Sequence, residues 1–138
     1  MSVGGSHSCW LRDNGTVVCW GLSLHGQADA PARAFTAVSA GGDYSCGVRA
    51  GGTVACWGYN GHGQADAPGG DFTAVSASQL FVCGLRSDGT VTCWGFFGIA
   101  TPHSPDASGV ADAPRGAFTA VSAGYAHACG LRPDPSLA

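Results

Sequence analysis

Short apolar stretches alternate with polar, glycine-rich tips along this chain, and the alternation comes in copies. The stretch Tyr44 to Gly58, YSCGVRAGGTVACWG, is preceded by HSCWLRDNGTVVCWG (His7 to Gly21). It is followed by FVCGLRSDGTVTCWG (Phe81 to Gly95) and by a shortened HACGLRPDPSLA (His127 to Ala138). In each full copy β-branched and aromatic residues flank a tip of Asp, Asn or Gly, which predicts two short strands joined by a tight turn. A three-residue tip ending in Gly15, Gly52 or Gly89 suits a type I turn with a bulge, because the last position needs positive φ. The fourth copy has Pro135 there, and proline cannot adopt positive φ, so that hairpin is expected not to close in the same way. Self-similarity of this kind marks a repeat protein.

Each later repeat opens with FTAVS, at Phe35 to Ser39, Phe72 to Ser76 and Phe118 to Ser122. As a strand, this segment is expected to point Phe and Ala one way and Thr and Val the other. Faces of modest size on both sides suit a strand packed between neighbours. A polar connection carrying GQADAP (Gly26 to Pro31, Gly63 to Pro68) leads from each hairpin to the next opening strand, and the third keeps only ADAP, Ala111 to Pro114. That third connection is longer by nine residues, with fifteen between Gly95 and Ala111 against six between Gly58 and Ala65. The expected organisation is one all-β domain over residues 1–138, with repeats at 2–34, 35–71 and 72–117 and a partial one at 118–138.

The cysteines keep the same period. Cys9, Cys46 and Cys83 are 37 residues apart, as are Cys19, Cys56 and Cys93, and the two of each copy are 10 apart. Folding each hairpin about its tip sets the pair directly opposite on adjacent strands, about 4.5 to 5.5 Å between Cα atoms, within the span of a disulfide. Bridges are expected at Cys9–Cys19, Cys46–Cys56 and Cys83–Cys93, each contributing roughly 3 kcal/mol through loop-closure entropy. The alternative is reduced cysteines packed as small hydrophobes. Cys129 is the odd seventh: its partner would fall at 139, so it is expected to be free or intermolecular. The end reads either as cut from a longer array or as a diverged terminus, and Pro135 favours the latter.

Composition then narrows the function. All six basic residues are Arg and all nine acidic ones Asp, net charge −3, so there is no basic footprint for nucleic acid or an anionic membrane. No apolar run is long enough for a membrane span, and MSVGG is not a signal peptide. Paired cysteines imply an oxidising compartment, hence a secreted or cell-surface protein. Twenty-three glycines and seven prolines fit many short strands and turns. Enzyme chemistry finds little footing: the five histidines are scattered, there is no Glu, and no nucleophile elbow or phosphate-cradling loop occurs. His25 with Asp29 and His62 with Asp66 recur at matching positions but read as solvated or capping residues rather than metal ligands, so no metal or cofactor is expected.

The repeated VSAGGDYSCGVRAGGTVACWGYNGHGQ resembles the blades of the regulator-of-chromosome-condensation repeat family. The likeness is greater to secreted bacterial members, such as the β-lactamase inhibitor of propeller type, than to eukaryotic exchange factors. What the resemblance implies is a seven-bladed β-propeller of four-stranded blades acting as a binding platform. Three and a half repeats cannot close such a ring alone, so the resemblance implies a partial or composite propeller. Two chains would associate, open ends would stack into a polymer, or the chain would belong to something larger.

Residues that break the repeat are the candidates for binding, since framework positions should stay alike. The loops after the opening strands differ at Asp43, Gln79, Leu80 and Tyr125, and in the resembling inhibitor the equivalent loops supply partner contacts. His7, Tyr44, Phe81 and His127 align with the family's His-Ser position, a framework place. Trp10 stands where the other copies have Gly47, Gly84 and Gly130, so it either covers the first hairpin or forms an association surface. Phe96, Phe97 and Ile99 in the long connection make an apolar cluster that either anchors a partner or folds back on its own blade. Trp20, Trp57 and Trp94 are expected to fill space between blades with the indole N–H bonded internally. The function this predicts is a non-catalytic binding module for proteins, with another copy of itself and a further protein as partners. The alternatives are a self-assembling filament protein and, more weakly, a carbohydrate-binding propeller.

Overall fold

The computed structural model describes residues 1–61, 63–95, 118–123 and the backbone of 128–131. Three hairpins and their opening strands form three antiparallel sheets. Blade A is β1 (Ser2–Val3), β2 (His7–Leu11) and β3 (Val17–Gly21); blade B is β4 (Phe35–Ala40), β5 (Tyr44–Arg49) and β6 (Val54–Gly58). Blade C is β7 (Phe72–Ala77), β8 (Phe81–Arg86) and β9 (Val91–Gly95), and β10 (Ala120–Ala123) pairs with β11 (Ala128–Leu131) in the fourth repeat.

The hairpins close as their tips demand. Gly15 N–H donates to Arg12 O at 2.9 Å while Arg12 N–H donates to Thr16 O at 2.8 Å, and the same pair recurs at Arg49/Gly52/Thr53 and Arg86/Gly89/Thr90. The three glycines have φ of 87°, 97° and 89°, the left-handed conformation that closes this turn without a Cβ clash. Asn14 and Asp88 brace their tips, each accepting through Oδ1 from the N–H and the hydroxyl of Thr16 or Thr90. The Thr90 hydroxyl bond, with the backbone N–H beside it, holds the Asp88 carboxyl below the usual carboxylate range.

In this register Cys9 faces Cys19, Cys46 faces Cys56 and Cys83 faces Cys93. Their Cα atoms are 4.1, 4.0 and 4.1 Å apart, the spacing of the closer, non-hydrogen-bonded pairs of an antiparallel ladder, and all three disulfides are formed.

The opening strands depart from simple alternation. A bulge lies between Phe35 and Ala37, and again between Phe72 and Ala74, so Thr36 and Thr73 are extra residues. One extra residue shifts the parity of everything after it. Phe35 therefore shares a face with Val38 and Ala40 and packs on blade A, while Ala37 turns to blade C. Phe and Ala do not point together as the bare pattern suggested.

The blades lie face to face, with β1, β4, β7 and β10 side by side as inner strands. Cys9, Val17, Phe35 and Trp57 fill the space between A and B; Tyr44, Val48, Phe72 and Trp94 fill that between B and C. Phe81 and Cys83 form the start of a third layer against Val121 and Ala123 of β10.

Candidate protein-interaction site

The recurrent residues are engaged between blades. The indole N–H of Trp57 donates to Gln27 O at 3.0 Å and that of Trp94 to Gln64 O at 3.1 Å, so the Gln of each GQ segment is seized by the next blade. Both glutamines are fully buried, and Gln27 Oε1 accepts the His25 N–H at 2.9 Å. The sequence pattern presented these segments only as polar connections. The recurrence of Gly-Gln was the available signal for a buried anchor.

The position occupied by His7, Tyr44 and Phe81 is a staple across blades. His7 Nε2 shares a 2.6 Å hydrogen bond with Ser45 Oγ of the next blade, and Tyr44 Oη donates to Phe81 O at 2.6 Å and to Ser78 O at 3.1 Å. Burial pushes the Tyr44 phenol pKa up and pulls the His7 imidazole pKa down, the latter opposed by the Asp43 carboxylate. A second series runs along the inner strands. Ser2, Ser39 and Ser76 each accept, at 2.9 Å, the backbone N–H of Ala40, Ala77 and Ala123 in the following blade. The serines closing each FTAVS segment were legible as a recurrence but carried no hint of this role.

Blade A exposes what the other blades bury. Trp57 and Trp94 are 8% and 9% exposed, whereas Trp20 is 47% exposed and Trp10 50%. Trp20 thus differs from the expectation for all three tryptophans, because none of the described blades lies against its face. Ser8, Trp10, Val18 and Trp20 share that face by strand alternation and register. At the Trp10 register, a Cβ on Gly47 would come within 2.6 Å of the Phe35 ring, and one on Gly84 within 2.7 Å of the Phe72 ring. Glycine is needed there where an opening-strand Phe lies across the hairpin; Trp10 instead has the Arg12 guanidinium 5.9 Å from its ring. Among the described residues all six exposed large apolar side chains, Met1, Val3, Trp10, Trp20, Leu22 and Leu24, belong to blade A and the connection that follows it.

The repeat-breaking loops form a crown at one end of the inner strands. Gly5 N–H donates to Gly41 O at 2.9 Å and Gly42 N–H to Ser78 O at 3.2 Å, joining successive loops. Asp43 is exposed and accepts from Ser6 Oγ at 3.1 Å; Gln79 is exposed over Gly42, and Leu80 is half-buried. The crown brings Asp43 and Gln79 together; Trp10 lies on the flank of blade A instead. Tyr125, Phe96, Phe97 and Ile99 lie outside the described residues, and only the backbone of Cys129 is described. His25 sets its ring edge-on to Tyr59 at 5.0 Å between centroids, Asp66 accepts from Asn60 Nδ2 at 3.0 Å, and His62 is not among the described residues. Among the described residues no three His, Cys, Asp or Glu side chains gather as metal ligands would.

Residues 1–27 and 35–64 match the family model of the regulator of chromosome condensation (RCC1) repeat. The chain is similar to the ectodomain of the receptor kinase CR4 from Physcomitrella patens, at 32% identity and a TM-score of 0.76, over 99% of this chain and 35% of that one. It is similar also to the CRINKLY WD40 ectodomain of the receptor kinase ACR4 from Arabidopsis thaliana, at 29% identity and a TM-score of 0.74, over 96% of this chain and 45% of that one. Yeast RCC1 (Prp20), in its complex with Kap60, shares the fold at 15% identity and a TM-score of 0.69, over 94% of this chain and 40% of that one. The chain spans less than half the length of each of these proteins. None of the three is a bacterial inhibitor protein, and no curated protein sequence matches the chain. With its hairpin blades, its cross-blade anchors and this match, the chain carries repeats of the regulator-of-chromosome-condensation type over residues 1–27 and 35–64, and its sheets are β-propeller blades.

Proposed function

We propose that this chain is a non-catalytic protein-interaction module that works outside the cell and associates with copies of itself. The observation that carries the reading is the confinement of exposed large apolar side chains to blade A, on and beside a face whose counterparts in B and C are covered. Large apolar side chains left exposed on one blade, and not on the others described, favour an association site there. Three disulfides support an oxidising compartment, as does likeness to two receptor kinase ectodomains. The crown loops, with Asp43, Gln79 and Leu80, offer a separate face for a different protein, and Tyr125, Phe96, Phe97 and Ile99 are candidates for that contact from the sequence alone. Sedimentation velocity of the non-reduced chain over a concentration series tests the reading. Mass rising with concentration is expected, a discrete dimer indicating a composite ring and a growing ladder an open polymer. A monomer at every concentration sinks self-association.

A further inference from the structure

The exposed face of blade A repeats, one blade early, the face by which blade B receives its predecessor. Ser8, Trp10, Val18 and Trp20 stand 37 residues before Ser45, Gly47, Ala55 and Trp57, at the same registers of their hairpin. In blade B that face is packed against blade A. Continuity with this interface sets the kind of occupant: another blade of the same repeat. We propose that the occupant is the fourth repeat of a second copy of this chain, docked head to tail, with Ser122 Oγ of one copy accepting a hydrogen bond from Val3 N–H of the other. The proposal rests on the self-association reading and gives it a partner, a direction and a register.

The serine series carries it. Ser2, Ser39 and Ser76 accept from Ala40, Ala77 and Ala123. Ser122 is the next acceptor in the series, and it is exposed. Val3 is the next donor: it faces Ser8 across the ladder as Ala40 faces Ser45, so its N–H, like that of Ala40, is directed away from its own sheet. Val3 is 72% exposed. Three of the four acceptor positions meet their donors inside the chain, and the remaining acceptor and donor lie at opposite ends of the blade series.

A pairing in the sequence points the same way. His7 meets a hydroxyl in the next blade, Ser45. After Tyr44 and Phe81 the residues at that register are apolar, Val82 and Ala128. The fourth repeat returns to histidine with His127, which lies outside the described residues, and the residue at the answering register of a second copy is Ser8, again a hydroxyl.

Native mass spectrometry of the full chain tests the proposal, with denatured, non-reduced samples alongside to remove covalent pairs from the count. Ser122→Arg blocks one end of the contact and the double variant Trp10→Ser/Trp20→Ser blocks the other. Each alone is expected to stay monomeric where the unaltered chain associates. An equal mixture is expected to restore pairs containing one copy of each, since one intact apolar face then meets one intact fourth repeat. Should Ser122→Arg associate like the unaltered chain while the Trp variant does not, the faces meet Trp to Trp, and the proposal fails with self-association intact. An unaltered chain that is monomeric throughout overturns both readings. Val3→Pro removes the donor and leaves the tryptophans alone, so it serves where Ser122→Arg disturbs folding. Association weakened about 5- to 10-fold is expected from it, and unchanged association overturns the assigned bond.

Discussion

Blades A and B are built from nearly the same hairpin and differ in what stands against them. Both have the tip glycine, the disulfide and the terminal Trp-Gly. In B the tryptophan is 8% exposed, bonded to a glutamine carbonyl and packed on Phe35; in A it is 47% exposed. The hairpin alone therefore does not decide what its tryptophan does. The neighbouring blade decides it, and a framework residue without its neighbour is left exposed.

The largest test of this contrast is a pair of substitutions. Trp57→Ala should cost about 3–5 kcal/mol by emptying the A–B layer, whereas Trp20→Ala should cost under about 1 kcal/mol in the unassociated chain. Urea unfolding of both, under dilute conditions, reads the difference, and equal losses would erase the distinction between the two blades. Next in size, replacing Cys46 and Cys56 together by Ser should cost roughly 3 kcal/mol, because the bridge limits the unfolded ensemble. The same change at Cys9 and Cys19 should cost about as much, as both close loops of equal length. A much smaller loss in A would show that its hairpin is already loose.

Gly47→Ala sharpens the contrast at a single methyl. Its Cβ would meet the Phe35 ring at 2.6 Å and Ala37 O at 3.0 Å, so about 1–3 kcal/mol should be lost, while Trp10→Gly at the same register in A should leave melting nearly unchanged. Ser39→Ala should cost about 1 kcal/mol, since the Ala77 N–H then lacks its acceptor.

The smallest effect is a pH slope at the A–B staple. Burial holds the His7 pKa below its ordinary 6.5, so the folded chain favours the neutral ring. The associated stability is present above pH 6.5 and falls away as the pH drops towards the folded-state value, because the unfolded chain takes up the proton first. Urea midpoints from about pH 7.5 down to about pH 5 should show this decline, and His7→Gln should flatten it. An unaltered slope in the variant would assign it to another group.

Much of the fold was legible because the repeat states it several times. Cysteine spacing fixed the register, and Gly15, Gly52 and Gly89 announced the turns. The bulge at Thr36 was not legible: FTAVSA alternates plausibly on paper, and only packing of Phe35 across Gly47 requires an extra residue before Ala37. The site was legible in part. Trp10 broke the pattern and is exposed; Trp20 kept the pattern and is exposed too, because periodicity reports what a hairpin contains and not what stands beside it. Gln27 and Ser39 act through a backbone carbonyl and a hydroxyl reaching into another blade, contacts separated by 30 and 38 residues that no local pattern encodes.

The placement of the disulfides bears on how the chain is made. Among the described residues every bridge closes a span of ten residues inside one hairpin, and none crosses between blades. A hairpin emerging into an oxidising compartment brings its own two thiols together before the next pair is available, as short loops close fastest and at least entropic cost. Seven cysteines could be joined in many wrong ways, and this order of emergence selects the native set without requiring any finished neighbour. Each hairpin can thus be oxidised as a separate unit, and the packing of one described blade on the next is left to contacts that can still be undone.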